Sequence, residues 1–419
     1  MISRRKFLAA ALASAAISGR ERSGLCASPG QAKPKRVTPA NAFDPEVQNF
    51  MSERGVPGGA LAVAKNGRLV YTRGYGWADR EQRQSVRADS LFRIASISKP
   101  ITAAAVLRLV EANRLTLDAR VLDYIKLPAH LEPGGIPDKR WHQITVRQLL
   151  QHTGGWDRER SFDPMFRPRL IAKAVGMPPP ANAEAIIRYM LGQPLDFDPG
   201  TRYAYSNFGY CVLGRIIEQI TRLPYETFVR HQILAPLGMQ RMRLGASLEE
   251  GRAAGEVRYY MPNGETKESV FPARPGPVLC PYGGFNLEAM DAHGGWIAAA
   301  TDLIRFATVL DPRARHPLLK PETLRLLAQP PPPPVSRQED GSLADHYYAC
   351  GWMIRPVRAT QLNYWHAGSL PGTNTLLVRR WDGLSWAVLF NQRSENDQGS
   401  DLTIDAALHR AADAVTVWE

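Results

Sequence analysis

The chain has 419 residues, 44% of them hydrophobic and 22% charged, an ordinary globular composition with enough length to bury a sizeable core. Its formal charge is +12, of which residues 1–27 carry +4 and the rest +8. The basic residues are scattered, with no run of five or six like charges, so a nucleic-acid-binding stripe is not indicated.

The chain opens Ser3-Arg4-Arg5-Lys6-Phe7-Leu8 and continues as an apolar run to Ile17. A positive segment followed by a short apolar one is export-signal architecture, too short to span a bilayer. The paired arginines before Phe-Leu resemble a twin-arginine signal, with Ala9 where Lys is usual. Cleavage is expected near Cys26-Ala27-Ser28, and Leu25 before Cys26 does not fit a lipoprotein box. Residues 1–27 therefore read as an export signal, and a periplasmic or secreted location is expected. No later stretch is apolar for about 18 residues, so no membrane span is expected. Residues 28–42 are polar and Pro-containing, a lead-in expected to be disordered, with the folded domain at 43–419.

GGALAVAKNGRLVYTRGYGWAD predicts two strands around Asn66-Gly67, the strongest short hairpin signal. From Ser98 to Asn113 the apolar spacing is helical, with Pro100 tolerated in the first turn. Residues 126–284 alternate helical patches with Pro/Gly-rich loops. One patch is ITVRQLLQH with Thr145 as N-cap; another runs from Phe208 to Thr221. A polar loop at 329–346 surrounds Pro330–Pro334. YYACGWMI, QLNYWHAG, TNTLLVRR and LSWAVLFNQ then predict successive strands, and a last helix spans about 401–414. Strands at both ends with helices between predict an α/β (α+β) fold. Its antiparallel sheet, flanked by helices, is completed by 43–125 and 285–419, with a mostly helical lobe, 126–284, inserted.

Of four cysteines, loss of the signal leaves Cys211, Cys280 and Cys350, enough for at most one disulfide, and buried inert thiols are expected. The nine histidines never fall in H-x-H or H-E-x-x-H, and no phosphate-cradling G-x-x-x-x-G-K-[ST] occurs. Neither a metal nor a cofactor is expected.

Three short motifs could carry chemistry. FRIASISKP contains Ser96-x-x-Lys99; residues i and i+3 share a helix face, which puts an amine beside a hydroxyl. Alone this says little, since Ser3-x-x-Lys6 matches too, and a capped helix start with Lys in solvent explains it equally. PGTRYAYSNFGYCVLG holds Tyr205-x-Asn207. A Tyr beside a Lys can have its phenol pKa lowered and serve as general base, and an Asn amide can orient a substrate carbonyl. Asn207 could also simply cap the following helix. YWHAGSLPGTNT offers His366-Ala367-Gly368-Ser369 at a strand end, where small residues let a substrate backbone pair.

In order and spacing these elements resemble the serine β-lactamase and penicillin-binding superfamily. The chain is most similar to class C β-lactamases and to the β-lactamase-related esterases and D-aminopeptidases. ITVRQLLQHTGG, FDPGTRYAYSN and HGGWIAAATDLIRF extend the resemblance to about residues 43–415. It implies a β-lactamase-like fold and an exported serine hydrolase acting on an ester, a D-amino-acid amide or peptide, or a β-lactam. Ser96 would be acylated, and Lys99 and Tyr205 would pass its proton and activate the deacylating water. Asn207 would hold the substrate, and the backbone N–H groups of Ser96 and Ser369 would form the oxyanion hole. His366, Gly368 and Ser369 would form the substrate-facing strand, and His152 matches a family His of structural role. The implied partner is a small molecule or peptidoglycan-type peptide, without nucleic acid, and the oligomeric state is left open. A penicillin-recognising sensor that acylates without efficient turnover is the alternative on this scaffold. His366 departs from the family, standing where K-T-G enzymes carry Lys. A largely neutral imidazole would weaken recognition of a substrate carboxylate and favour ester or amide hydrolysis.

Overall fold

The Asn66-Gly67 pair closes the predicted hairpin between β1 (Gly58–Lys65) and β2 (Arg68–Asp79). Both turn residues are left-handed, at φ 52° and 76°, the turn whose twist matches that of the strands it joins. This computed structural model describes residues 36–311, 317–338, 340–358, 360–393 and 400–418. The expected export signal, 1–27, lies outside the described residues.

Ahead of the hairpin, helix α1 (Pro39–Arg54) starts on Thr38, whose hydroxyl accepts from the Asn41 N–H, and stops at left-handed Gly55. Residues 39–42, expected to belong to a disordered lead-in, are its first turn. Strands β3 (Gln84–Ser85) and β4 (Phe92–Arg93) lead to helices α2 (Ser98–Glu111), α3 (Val121–Tyr124) and α4 (Val146–Leu150). Thr145 caps α4 in a reciprocal capping box with Gln148. Helices α5 (Pro168–Val175), α6 (Ala183–Leu191), α7 (Asn207–Thr221) and α8 (Tyr225–Val229) follow. Strand β5 (Arg243–Leu244) and β4 flank β8 (Trp296–Ala298), and β6 (Thr266–Glu268) pairs with β7 (Pro277–Leu279). Helices α9 (Ala300–Ala307) and α10 (Pro321–Ala328) precede β9 (Tyr347–Tyr348), β10 (Met353–Arg358), β11 (Gln361–Leu370), β12 (Thr373–Arg379) and β13 (Leu384–Phe390). Helix α11 (Ser400–Ala414) closes the fold.

The main sheet is antiparallel in the order β3-β2-β1-β13-β12-β11-β10-β9, so the two ends of the chain meet at its centre, β1 against β13. Side-chain alternation sorts its faces. Leu61, Val63, Trp386, Val388 and Phe390 meet Phe43, Val47 and Phe50 of α1 and Ile404 and Leu408 of α11. Ala60, Ala62 and Ala64 point the other way, and their small size lets α9 lie close on β1 and β13. Beyond it, α2 is buried almost all round, touching α7, α8 and α10. The sheet with helices on both faces is the predicted mixed α/β class.

Two local readings change. YYACGWMI is not one strand: Gly351 turns at φ 80° between β9 and β10, and a Cβ there would lie 2.5 Å from the Ala103 Cβ. The cap of α7 is Ser206, whose hydroxyl accepts from the Gly209 N–H at 3.2 Å, which frees the Asn207 amide for other work. Cys211, Cys280 and Cys350 are buried, and burial pushes the Cys211 and Cys350 thiols up to about 12. Among the described residues no helix is long and apolar enough to cross a membrane.

Candidate active site

Ser96 sits in a single helical turn, Ala95–Ile97, between β4 and α2. Ala95 is left-handed at φ 46°, a conformation costing a residue with a Cβ about 1–2 kcal/mol, and it aims the next side chain out of the turn. Its surroundings hold it there. The Ile94 N–H donates to the Trp296 carbonyl at 3.0 Å, and the Thr375 hydroxyl donates to the Ile94 carbonyl at 3.1 Å. Strand β11 comes close enough because residue 368 is Gly; a Cβ there would lie 2.2 Å from the Ile94 oxygen.

Lys99, one helical turn on, is fully buried, which removes the solvent-facing alternative. Its Nζ lies 2.8 Å from Asn207 Oδ1, 3.1 Å from the His293 carbonyl and 3.1 Å from Ser96 Oγ. Burial, with the Arg158 charge adding and Asp163 opposing, holds this amine well below its usual 10.5. A neutral amine has two N–H bonds and one lone pair. When the amine is neutral, Asn207 Oδ1 and the His293 carbonyl, which can only accept, take its two hydrogens, and the lone pair is left for Ser96 Oγ–H. The sense of the Asn207 amide is fixed independently, because its Nδ2 donates to the Asp163 carboxylate at 2.6 Å. Lys99 is thus arranged as a proton acceptor for Ser96.

Tyr205 closes the group, its ring centroid 4.7 Å from Nζ. Burial raises its phenol pKa, against the smaller lowering effects of Ser96 and Arg158. The sequence reading expected a lowered pKa; burial outweighs the neighbouring charge, and Tyr205 stays a protonated phenol.

Three histidines surround these residues, and burial keeps all of them neutral. His152, left-handed at φ 57°, accepts the Ser206 N–H on Nδ1 at 3.2 Å. Its ring lies 4.3 Å from both the Tyr205 and Tyr348 rings, so it props the phenol from behind. His366 is 3% exposed, and burial, with Lys99 beside it, lowers its pKa from 6.5 to about 3. Its Nδ1 is 2.7 Å from the Ala367 carbonyl, which can only accept, so the ring hydrogen is on Nδ1. Nε2 then accepts the Tyr348 hydroxyl at 2.9 Å. Both nitrogens are engaged, and an imidazolium that could greet a carboxylate is not available at neutral pH. His293 is the third, 2% exposed and held below 6.5 by burial and Lys99.

These residues line one cleft of about 610 Å³, with Ser96, Tyr205, Asn207 and His293 at the base and His366 and Ser369 on the β11 wall. Phe166, Tyr203, Trp365 and Leu370 give the cleft an apolar side, and Arg158 stands at 5.1 Å over the Tyr205 ring. Gly368, expected on the substrate-facing strand, is buried between Ile94 and Thr375 and does not line the cleft; its role is close approach. Asn207, expected to hold substrate, spends its oxygen on Lys99 and one N–H on Asp163. The sequence reading singled out neither Asp163, Arg158 and Tyr348 nor His293. His293 lay inside a quoted motif, HGGW, whereas Asp163 is 44 residues from the amide it holds, with no local signal.

The beta-lactamase family model matches residues 43–411. This chain belongs to the β-lactamase family. Esterase EstB of Burkholderia gladioli is 33% identical over 205 residues, which cover 48% of this chain and 50% of EstB. The match thus spans about half the length of that relative. Penicillin-binding protein 4* of Bacillus subtilis is 24% identical over 355 residues, 84% of this chain and 71% of that protein. The structure of D-amino acid amidase from Ochrobactrum anthropi, complexed with L-phenylalanine amide, superposes with a TM-score of 0.67 at 23% identity. It covers 90% of this chain and 98% of the amidase, and the two share the β-lactamase fold.

Proposed function

We propose that the protein is an exported serine hydrolase that forms an acyl-enzyme on Ser96 and acts on esters or amides of small acyl groups. The observation that carries this reading is the buried Lys99 Nζ, 3.1 Å from Ser96 Oγ, with Asn207 Oδ1 and the His293 carbonyl placed to take two of its hydrogens. Ser96 Oγ adds to the substrate carbonyl carbon while its proton passes to Nζ. The oxyanion is held by the backbone N–H groups of Ser96 and Ser369. Collapse of the adduct expels the leaving group, which takes the proton from Lys99 by way of the Tyr205 phenol. Water then attacks the acyl carbon and returns Ser96. The neutral, fully engaged His366 does not supply the fixed cation that K-T-G enzymes place at this position, which favours esters and D-amino-acid amides over β-lactams, although Arg158, Lys267 and Arg393 line other parts of the same cleft. The names of the relatives, an esterase and a D-amino acid amidase, agree with that preference.

The test is a panel of p-nitrophenyl esters, D-alanine p-nitroanilide and nitrocefin, run against the Ser96→Ala variant as blank. Turnover of ester or amide by the wild type alone supports the reading. Turnover that survives Ser96→Ala, or none with any substrate, would sink it. Export rests on the paired Arg4 and Arg5. Changing both to Lys should leave precursor in the cytoplasm, whereas normal export would refute the twin-arginine route.

A further inference from the structure

We propose that His293 orients the water that hydrolyses the Ser96 acyl-enzyme, a role that rests on the serine-hydrolase reading above. His293 follows the turn Glu288–Met290, and its N–H donates to the Met290 carbonyl at 3.0 Å. Gly295 keeps the turn tight, since a Cβ there would lie 2.9 Å from the Asp291 Cα. The His293 carbonyl holds the Lys99 amine, and His293 is among the residues that line the cleft with Ser96. The Asn207 oxygen is occupied by Lys99, its nitrogen by Asp163, and both ring nitrogens of His366 by Tyr348 and Ala367; His152 Nε2 is, like His293 Nε2, buried without a partner among the described residues, but His152 does not line the cleft. His293 Nε2 is buried and has no hydrogen-bond partner among the described residues. A buried polar atom left unpaired is costly, and one on the wall of a reaction cleft is matched by a group that enters the cleft.

The chemistry of deacylation names that group. A water that attacks the acyl carbon must hand one proton to Lys99, so it sits within hydrogen-bond reach of Nζ. Its second hydrogen then needs an acceptor, and the neutral imidazole beside Nζ supplies one. As the water oxygen bonds to the acyl carbon, its first proton passes to Lys99. The bond from the acyl carbon to Ser96 Oγ breaks, and Oγ takes the proton back from Lys99. His293 gains and loses no proton; it only receives the hydrogen bond of the second hydrogen. Burial and the neighbouring Lys99 keep its ring neutral, which suits an acceptor and disqualifies it as the base.

Methanol separates this role from a merely structural one. It has a single hydroxyl hydrogen, which goes to Lys99, and none left for His293. His293→Ala should therefore slow hydrolysis of the acyl-enzyme about 3- to 10-fold more than it slows methanolysis, the worth of one neutral hydrogen bond. With p-nitrophenyl acetate in buffered methanol, the ratio of methyl acetate to acetate should rise by that factor, while His293→Asn, which keeps a hydrogen-bonding group, recovers part of it. An unchanged ratio in a folded variant overturns the proposal, and if His293→Ala fails to fold, His293→Leu, which also lacks an acceptor, carries the same comparison. Absence of any Ser96 adduct or turnover in the wild type overturns instead the hydrolase reading on which the role depends.

Discussion

Replacing His366 by glutamine changes how stability depends on pH by an amount the structure sets. In the unfolded chain this imidazole takes a proton as pH falls through 6.5; in the folded protein burial delays that to about 3. Between those values the unfolded state holds the extra proton, so His366 removes stability as pH falls, about 1.4 kcal/mol per unit. From pH 7 to pH 5 its share is about 2 kcal/mol. The glutamine side chain cannot titrate, while His152 and His293 remain in both proteins and cancel in the difference. Urea unfolding at the two pH values should therefore show the wild type losing about 2 kcal/mol more than His366→Gln, whatever the variant's stability at pH 7. Parallel losses would show that His366 is solvated enough to charge in the native state. It could then read a substrate carboxylate, and the preference argued for ester and amide substrates would lose its support.

Three further outcomes follow from the same geometry. Gly368→Ala puts a Cβ 2.2 Å from the Ile94 oxygen and from Thr375 Oγ1, so it should cost about 1–3 kcal/mol and misplace Ser96; unchanged Tm and kcat would contradict the close-approach role. The Arg158 charge helps hold Lys99 neutral, so Arg158→Gln should move the acid limb of kcat/KM to higher pH; an unmoved limb would mean that it reports some other group. Tyr205→Phe should lower kcat/KM about 10²- to 10⁴-fold if the phenol relays the leaving-group proton, and a silent substitution would exclude that relay.

The parts of the fold that could be read in the sequence are those set locally. Asn66-Gly67 required a turn only two left-handed residues can make, and α2 and α7 bury enough of their surface to show helical spacing. Helix α1 was hidden although Phe43, Val47 and Phe50 are spaced as a helix, because Pro45 inside that pattern reads as a breaker. Ser206 and Asn207 are both good caps, and only the geometry decides between them. The site was legible as a set of residues but not as a set of protonation states. Nothing in S-x-x-K or Y-x-N says that Lys99 is fully buried, and burial is what lowers the pKa of the amine and keeps the Tyr205 phenol protonated. Asp163 and His293 join through contacts 44 and 194 residues apart, which no local pattern encodes.

The central claim is that Ser96 is the acylated group and the neutral Lys99 amine its base. Its most direct test is time-resolved intact mass with a fluorophosphonate and then a p-nitrophenyl ester, with the adduct located by peptide mapping in wild type and in Lys99→Met. A single adduct on Ser96 is expected, persistent with the phosphonate and transient with the ester, and forming about 10²- to 10⁴-fold more slowly without Lys99. An adduct on another residue, or equal labelling rates in the two proteins, would contradict the account.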